Sequence, residues 1–522
     1  MYNMSAINQV STDESECRES FKAFLFGIKR NRRLGWSILS IIVLQFTVFK
    51  YFYPYASYIH GDSFVYIDTA YENLSINTYM IGYSMFLRLL SVFFTSDWLT
   101  TFLQYALLQA SALFLVLSVF YFYRPARPAR VFLLVFTVLN PLFLYMGNMI
   151  SSDAYFLTLS LTWFALMIWI MHRPSVGIVV AHVLILFIAF TVRYNALIYL
   201  FIAVIAFWLS PMKKVLKWKG LGCAAMLIGF FVFQTSSHYK KLTGYWQYSP
   251  FAGWQMANNA MYAYRYVDSR KREPVPKKFN TLDNMVRNYF DTTKDIKRHP
   301  EQTMLASTVY MWDPSSPLYA YRNGLFKKDS TATELKKWSS MGPFYNEYGW
   351  YLIKTYPKTF AVNFIWPNAN KYYAPPVEFL QVFNSGKDSI PEIARYWFHY
   401  KTLRITPRTK SLNIHLLDFY PILSGIINLI ILFGLFAYWM LSGYKMVGSF
   451  RQYVLLAGAT WVLNAGFTIF ASSAALRFQS FPIFLTTVSA CLLMDWLAKM
   501  AGVGAPREEK SKLEGKGEPA VA

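Results

Sequence analysis

The sequence predicts an α-helical polytopic membrane protein of about ten transmembrane helices with an extracytoplasmic domain of mixed fold. Of its 522 residues, 55% are hydrophobic, 19% are aromatic and only 15% are charged, and the mean hydropathy is +0.26. Apolar runs of about 20 residues, the length that crosses a bilayer, recur along the chain with short polar connections. A soluble fold would leave these runs nowhere to be buried.

Basic residues cluster between the apolar runs and indicate the orientation of the chain. The clusters lie at 29–33, 124–130 and 213–219, and they account for much of the formal net charge of +23. Under the positive-inside rule these segments are cytoplasmic. Nucleic-acid binding is the weaker explanation, because no basic block forms a folded domain with interleaved aromatic residues of its own.

The order of apolar runs and basic loops predicts each span in turn. A cytoplasmic tail (1–33) precedes an uncleaved signal anchor, and the first outer loop (53–97) contains an interfacial helix at 81–94. The Asn140-Pro141 pair should kink the third span. The predicted spans are 34–52, 98–122, 131–147, 154–171, 176–192, 196–209, 221–233, 416–441, 453–471 and 481–497. Both termini are then cytoplasmic.

Four larger divisions follow from this topology. Residues 34–235 form a transmembrane module, and residues 412–498 form the C-terminal transmembrane helices. Residues 236–411 lack a spanning run and are rich in Tyr, Trp, Pro, Lys and Asn, so they are expected to form the extracytoplasmic domain. The charged tail at 499–522 is expected to be disordered. No internal repeat is visible, so an inverted-repeat transporter gains no support.

The first outer loop carries the stretch HGDSFVYIDTAYENLSINTYMIGY, with three carboxylates close to the bilayer surface. On a helix, Asp62 and Tyr66 share a face and Asp68 and Glu72 share another, whereas Asp62 and Asp68 point about 120° apart. We therefore expect one functional acid here and not a local pair.

Ionisable groups gather at the predicted outer ends of the spans, and such groups near a bilayer are functional candidates by default. They are Asp62, Asp68, Glu72, Arg88, Asp153, Arg193 and Arg477. Because acids and arginines meet at one surface, the set does not suit a proton wire across the membrane. It suits an anionic phosphate and a reacting hydroxyl.

Each candidate also has a structural interpretation. Asp62 and Asp153 could be helix N-caps, and Arg193 and Arg477 could anchor their helices by snorkelling to the interface. Asp68 and Glu72 fit a solvated helix face. The aromatic segments 251–266 and 342–351 could stack on sugars, although such residues more often form a core or a membrane-interface belt.

The order of several motifs resembles the GT-C superfamily of membrane glycosyltransferases. The motifs are GDSFVY, IGYSMFL, NPLFLYMGNMISSDAYF, TVRYNAL and LRFQSFP. More narrowly, the chain is similar to the branch that contains protein O-mannosyltransferases and the aminoarabinose transferase of lipid A. Members of that branch use a sugar carried on a polyprenyl phosphate.

The resemblance assigns expected roles residue by residue. Asp62 to Tyr66 matches a D-E-x-x-Y-like motif, with Ser63 in place of the second acid, so Asp62 is the expected catalytic base. Asp153 matches the second family acid and Arg193 the basic residue near the carrier phosphate. The 80–84 segment, which includes Tyr83, matches a P-x-G-Y-P motif only partly, since both prolines are missing.

These expectations combine into a hypothesis of function. With a phosphate leaving group, one carboxylate acting on the incoming hydroxyl suffices. Asp62 would take the acceptor proton, Asp153 would orient Asp62 or the acceptor, and Arg193 and Arg477 would bind the donor phosphate. Tyr66 and Tyr83 would support the site. The expected partners are a polyprenyl-phosphate-sugar donor, a glycan, lipid or protein acceptor, and the lipid bilayer.

Several further expectations complete the hypothesis. The protein would be an inverting transferase of the bacterial cytoplasmic membrane, acting on the non-cytoplasmic face. No cofactor is expected, since Cys17, Cys223 and Cys491 form no CxxC site and no third acid completes a metal cluster. Two alternatives stay open, namely a polysaccharide polymerase or ligase that uses a lipid diphosphate donor, and a transporter or lipid flippase.

Overall fold

The computed structural model describes residues 19–293 and 307–502, and it is helical throughout. The predicted tails at 1–18 and 503–522, with Cys17, lie outside the described residues. Within the described ranges there is no β-strand, only three isolated bridges, of which Ser57 with Met149 is parallel. The expected mixed fold of the 236–411 segment is therefore wrong for the part of it that is described, because its aromatic and proline-rich sequence forms short helices.

Twenty-three α-helices occur in the described ranges. They are α1 (Phe21–Phe26), α2 (Lys29–Phe52), α3 (Asp62–Tyr71), α4 (Gly82–Ser91), α5 (Asp97–Tyr123), α6 (Arg127–Val138), α7 (Pro141–Gly147), α8 (Ser152–His172), α9 (Val176–Val192), α10 (Leu197–Leu209), α11 (Lys214–Thr243), α12 (Pro250–Tyr264), α13 (Asn280–Asn288), α14 (Val309–Trp312), α15 (Pro317–Leu325), α16 (Glu334–Ser340), α17 (Gly342–Thr355), α18 (Pro357–Phe360), α19 (Trp366–Tyr373), α20 (Glu392–Phe398), α21 (Tyr420–Met440), α22 (Ser449–Ala471) and α23 (Leu476–Met500).

Eight helical segments of the described chain are long and apolar enough to cross a membrane. They are α2, α5, α6 with α7, α8, α11, α21, α22 and α23, and α9 and α10 are shorter apolar helices. The predicted helical class is thus confirmed, and the eight apolar segments are consistent with an α-helical membrane protein. The most deeply buried of the eight is α8, which packs against α5, α9, α10 and α23.

The predicted kink in the third span is present. The helix stops at Val138, and the side chain of Asn140 accepts a hydrogen bond from the backbone of Leu142 at the start of α7. Pro141 lies at the first position of α7. A backbone N–H has no partner within the helix at that position, so the missing N–H of proline costs no hydrogen bond.

The end of the predicted N-terminal tail is ordered helix. In α1, the ring of Phe21 packs edge-on against Tyr121 and Trp169, with ring centroids 5.3 and 5.1 Å apart. The hydroxyl of Tyr121 donates to the backbone carbonyl of Glu19. Membrane helix α2 begins at Lys29, five residues before the predicted span. The aromatic sequence FKAFLF explains this docking, because it buries rings that a solvated tail would expose.

A second aromatic core lies in the 236–411 segment. Its centre is the packing of α12 against α17, where a side chain on Gly253 would meet the backbone of Gly342. Trp254 is fully buried and stacks on Trp338 with centroids 5.5 Å apart. The two aromatic segments that could have been sugar-stacking surfaces thus serve mainly as a core.

Candidate functional site

Four charged side chains that the sequence singles out lie together at one end of the membrane helices. Nη1 of Arg477 donates to Oδ2 of Asp62 and to Oδ2 of Asp153, each at 3.1 Å. Nη1 of Arg193 donates to Oδ1 of Asp153. Arg477 thus bridges the two carboxylates. We call these four residues the charge cluster, and its two positive and two negative side chains balance.

The members of the charge cluster differ in exposure. The side chain of Asp153 is 2% exposed and that of Arg477 is 8% exposed, whereas Asp62 and Arg193 are 24% and 20% exposed. A molecule approaching from outside would therefore meet Asp62 and Arg193 first. Asp153 is a buried group that holds the two arginines together.

The two aspartates are not the N-caps of their helices. The residue before α3 is Gly61, at φ +99°, and no side chain caps that helix; Asp62 is its first residue. The cap of α8 is Ser151, whose Oγ accepts from the backbone N–H of Asp153 and donates to its Oδ2. The capping interpretations of both acids are thus not what the structure shows.

The two arginines share one aromatic ring. The guanidinium of Arg193, at the end of α9, lies 4.6 Å from the ring centroid of Phe478, and that of Arg477 lies 4.3 Å from it. Arg477 also lies 4.5 Å from the ring of Phe379. Both arginines contact acids and aromatic rings inside the protein, so neither merely snorkels to the interface.

A backbone pairing connects the segments that carry the two acids. The N–H of Ser57 donates to the carbonyl of Asn148, and the N–H of Ile150 donates to the carbonyl of Ser57, both at 2.9 Å. Asp62 follows five residues after Ser57 and Asp153 follows three residues after Ile150. This pairing therefore fixes the distance between the starts of α3 and α8.

A turn at residues 384–386, whose backbone is in the left-handed region, is hydrogen-bonded to the segment 57–60 that precedes α3. Asn384, Ser385 and Gly386 follow one another at φ +50°, +53° and +79°. The N–H of Asn384 donates to Oγ of Ser57, and Oγ of Ser385 accepts from the N–H of His60. Two consecutive non-glycine residues in this region are strained, and such strain persists where surrounding contacts impose it.

Three tyrosines pack together beside Asp62 and Asp153, and one of them bonds to Asp62. The hydroxyl of Tyr79 donates to Oδ1 of Asp62 at 2.7 Å. Tyr66 shares a 3.0 Å hydrogen bond with Ser152, next to Asp153, and Tyr83 donates to Gln104. Burial, with the charge of Asp62, raises the pKa of both Tyr66 and Tyr79, so both stay protonated donors. Tyr83 touches neither acid but packs edge-on against Tyr66.

A cavity opens beside the charge cluster, with about 320 Å³ of empty space counting the part open to solvent. Asp153, Arg193 and Arg477 line one end of it. Phe156, Leu157, Tyr199, Phe481 and Pro482 line the apolar part between α8, α10 and α23. We call this space the cluster cavity. It joins a charged mouth to a hydrophobic interior.

Other candidates lie apart from the charge cluster. Asp68 and Glu72 are exposed, as expected for a solvated face. Arg88 donates to the carbonyl of Ala70, which ties α4 to α3. Two further residues contact the charge cluster without having been predicted from the sequence, namely Tyr79 and Phe478, which is adjacent to Arg477. Phe478 could have been predicted, because it is an aromatic residue next to a candidate arginine. Tyr79 could not, because it reaches Asp62 only through the turn between α3 and α4.

Comparison of the chain with protein-family models, with curated proteins and with solved structures gives no match in any of the three. The resemblance of the motifs to the GT-C superfamily therefore stays a prediction. The function has to be argued from the chemistry of the site.

Proposed function

We propose that this protein transfers a sugar from a polyprenyl-phosphate donor to an acceptor on the non-cytoplasmic face of the membrane, with inversion at the sugar. The observation that carries the proposal is the charge cluster at the mouth of the cluster cavity. An acid with partial exposure, two arginines and an apolar interior lie within one small volume. A phosphodiester with a hydrocarbon tail has the complementary chemistry.

The arginines have N–H groups beyond those used within the charge cluster, and these could bind the phosphate of the sugar donor. Arg477 uses Nη1 for both carboxylates, and its buried Nε has no hydrogen-bond partner. Guanidinium groups present five N–H donors in a plane and bind phosphate oxygens in pairs. Phe478 holds the two guanidinium groups on one ring, so a phosphate could receive hydrogen bonds from both Arg193 and Arg477.

In the proposed reaction the acceptor hydroxyl oxygen attacks the anomeric carbon of the donor. The bond from that carbon to the phosphate oxygen breaks, and the phosphate leaves with the bonding electron pair. The hydroxyl proton passes to Asp62. The leaving phosphate needs no proton, so one general base is enough, and its contribution is about 10² to 10⁴-fold. The arginines stabilise the negative charge that develops on the phosphate.

Donor binding and base activation are linked in this scheme. Both oxygens of Asp62 are occupied, one by Tyr79 and the other by Arg477. A phosphate that engages Arg477 would draw it away from Asp62 and leave Oδ2 free to accept the hydroxyl proton. Tyr79 would keep the carboxylate oriented. Asp153, which holds both arginines, would position the cations, with Tyr66 and Tyr83 supporting the floor of the site.

The proposal includes a fuller topology. The shorter helices α9 and α10 would also cross the bilayer, which gives ten spans, both termini cytoplasmic and the 236–411 segment outside. The placement of the basic clusters supports this orientation. The membrane would be a bacterial cytoplasmic membrane, where polyprenyl-phosphate sugars serve as donors. The acceptor would be a glycan, a lipid or a protein.

The test begins with mass spectrometry of cell-envelope glycans from cells with and without the protein. A difference of one sugar residue mass is expected, and it names the sugar. Cells that carry Asp62→Asn should lack that residue. The control is Asp68→Asn on the exposed face of the same helix, which should restore it at normal protein levels. Normal sugar transfer by the Asp62→Asn protein would remove Asp62 from the role of base and overturn the proposal.

A further inference from the structure

Two cavities follow one another down the same pair of helices. The cluster cavity is lined by Asn464 of α22 and by Ser480, Phe481 and Pro482 of α23. A second cavity, with about 350 Å³ of empty space counting the part open to solvent, begins one helical turn further along both helices, at Trp461 and Leu485. We call it the inner cleft.

The inner cleft lies where α21 and α22 both rest on α23. Its walls are Ile431 and Leu435 from α21 and Val454, Ala457, Gly458 and Trp461 from α22, and its floor is the segment of α23 that runs from Leu485 to Leu493. At the far end, Tyr438 of α21 and Phe450 of α22 close the cleft with ring centroids 6.1 Å apart.

The hydroxyl groups of the inner cleft are already bonded within the protein, whereas the buried Nε1 of Trp461 in its wall has no hydrogen-bond partner. The hydroxyl of Tyr453 shares a 2.9 Å hydrogen bond with Ser489, and Ser489 also donates to the carbonyl of Leu485. Thr486 donates to the carbonyl of Pro482. Because these hydroxyls are satisfied, the cleft offers an occupant an apolar surface. A hydrocarbon chain can fill it without breaking any of these hydrogen bonds.

The glycine in the wall leaves the cleft open. A side chain built at Gly458 would meet no atom within 4 Å. The outward faces of the neighbouring helices are exposed and apolar, for example Phe433 of α21 and Val462 of α22, as expected for surfaces in contact with lipid. The cleft is thus a gap in the lipid-facing wall of the protein and not a sealed core void.

We propose that the prenyl tail of the donor lies in the inner cleft, with its phosphate on Arg193 and Arg477. This inference rests on the proposed function and adds the path of the carrier. Two features select a long prenyl phosphate as the occupant. Arg477 and the floor of the apolar cleft both belong to α23, so a single molecule with an anionic head and a hydrocarbon tail reaches both.

The second feature is length. From Arg477 to Leu493, α23 rises about 24 Å at 1.5 Å per residue, most of the roughly 30 Å hydrocarbon core. An acyl chain of an ordinary phospholipid is confined to one leaflet, about half of that thickness. A tail that runs the length of the cleft therefore crosses the bilayer midplane, which suits a long prenol. The protein should accordingly prefer long carriers to short ones.

Substitutions that fill the inner cleft test whether the prenyl tail lies there. Gly458→Leu places a side chain in open space, so it should block the tail without disturbing the packing. Gly229→Leu on α11 is the matched control, because that exposed glycine also has no atom within 4 Å of an added Cβ. Gly458→Ala, which adds one methyl group, tests that the site tolerates a side chain. Thermal unfolding of each purified variant should match the wild type.

The measured quantity is binding of undecaprenyl phosphate to the purified full-length protein, by native mass spectrometry, with farnesyl phosphate as the short comparison. We expect Gly458→Leu to weaken undecaprenyl phosphate binding at least ten-fold and to leave farnesyl phosphate binding unchanged. Gly229→Leu and Gly458→Ala should bind both like the wild type. Equal undecaprenyl phosphate binding by Gly458→Leu would overturn the inference.

Two further outcomes separate the inference from the proposed function. If phosphatidylglycerol at equal concentration displaces undecaprenyl phosphate, the cleft is a general lipid site and the inference is wrong, whatever the activity of the enzyme. If Gly458→Leu binds normally while Asp62→Asn abolishes sugar transfer, the function stands and the tail path fails. If the wild type shows neither transfer nor binding, the proposed function itself fails.

Discussion

Nη1 of Arg477 lies 3.1 Å from Oδ2 of Asp62, although 415 residues separate them in the chain. The contact joins the start of α23 to the start of α3. Arg477 reaches Asp153 by the same nitrogen. A single guanidinium thus connects α3, α8 and α23, and a change at this one residue should affect both acids.

Replacement of Arg477 by lysine keeps the positive charge and removes the planar guanidinium group with its several N–H donors. An ammonium cannot reach both carboxylates and a phosphate in the same geometry. We expect Arg477→Lys to lower sugar transfer about 100-fold, in the range seen when one transition-state donor is lost. Activity in membranes from complemented cells, normalised to protein level, is the measurement. Arg451→Lys, on the first turn of α22, is the control, and equal losses in both would argue against a specific role.

Tyr79→Phe removes the donor to Oδ1 of Asp62 and keeps the ring that packs on Tyr66 and Trp312. Loss of one hydrogen bond to a charged group costs about 1.5 to 3 kcal/mol. If the bond is worth the same in orienting the base, transfer should fall about 10- to 150-fold. Tyr71→Phe, an exposed tyrosine on α3, should have no effect. Unchanged turnover in Tyr79→Phe would show that this bond does not orient the base.

Ser385 allows the cost of the left-handed turn to be measured. Ser385→Gly and Ser385→Val both lose the hydroxyl that bonds to Tyr58 and His60. They differ in backbone preference, since glycine adopts φ +53° freely and valine does not. Ser385→Val should be less stable than Ser385→Gly by about 1 to 2 kcal/mol. Thermal or denaturant unfolding in detergent gives the difference, and equal stabilities would contradict the strain.

Gly82 is required by a close approach between helices. A Cβ at this position would lie 2.6 Å from the backbone carbonyl of Thr191, at the end of α9 and two residues before Arg193. Gly82→Ala should therefore separate α4 from α9 and lower the melting temperature by several degrees. Gly222→Ala, where an added Cβ meets nothing, is the matched control. Similar melting temperatures for the two variants would contradict the contact.

His60 should make stability depend on pH. Burial and the charge of Lys387 lower the pKa of His60 in the folded protein. As pH falls through about 6.5, the unfolded chain takes up this proton before the folded protein does, so stability decreases. Below the folded pKa the loss is complete and levels off. In His60→Gln this contribution is absent, and the difference between the two unfolding profiles from pH 7.5 to 5 should reveal it.

The sequence allowed the four cluster residues to be named because each lies next to an apolar run. Successive spans cross the membrane in alternating directions, so every second connection lies at the same surface. Asp62, Asp153, Arg193 and Arg477 could therefore be assigned to the same side. Their contacts could not be predicted, because spacing along the chain says nothing of which helix ends are neighbours. The structure brings all four together, while their chemical roles stay predictions.

Other features depended on packing that a single sequence does not reveal. Tyr79 follows a loop of irregular backbone, so no periodicity indicates where its ring points. The sequence predicts Arg477 in the connection between the last two spans, yet it lies in the first turn of α23, because a polar residue at a helix start resembles a loop residue. The 236–411 segment was expected to be of mixed fold, since closely spaced prolines obscure short helices.

The pairing of Ser57 with Met149 has a mechanical consequence. The two acids are carried by adjoining stretches of backbone that are hydrogen-bonded to each other, so a tilt of α2 moves both in the same direction. Bilayers of different thickness change helix tilt. The separation between the carboxylates would then be independent of such changes, and the protein could keep this geometry in membranes of varied lipid composition.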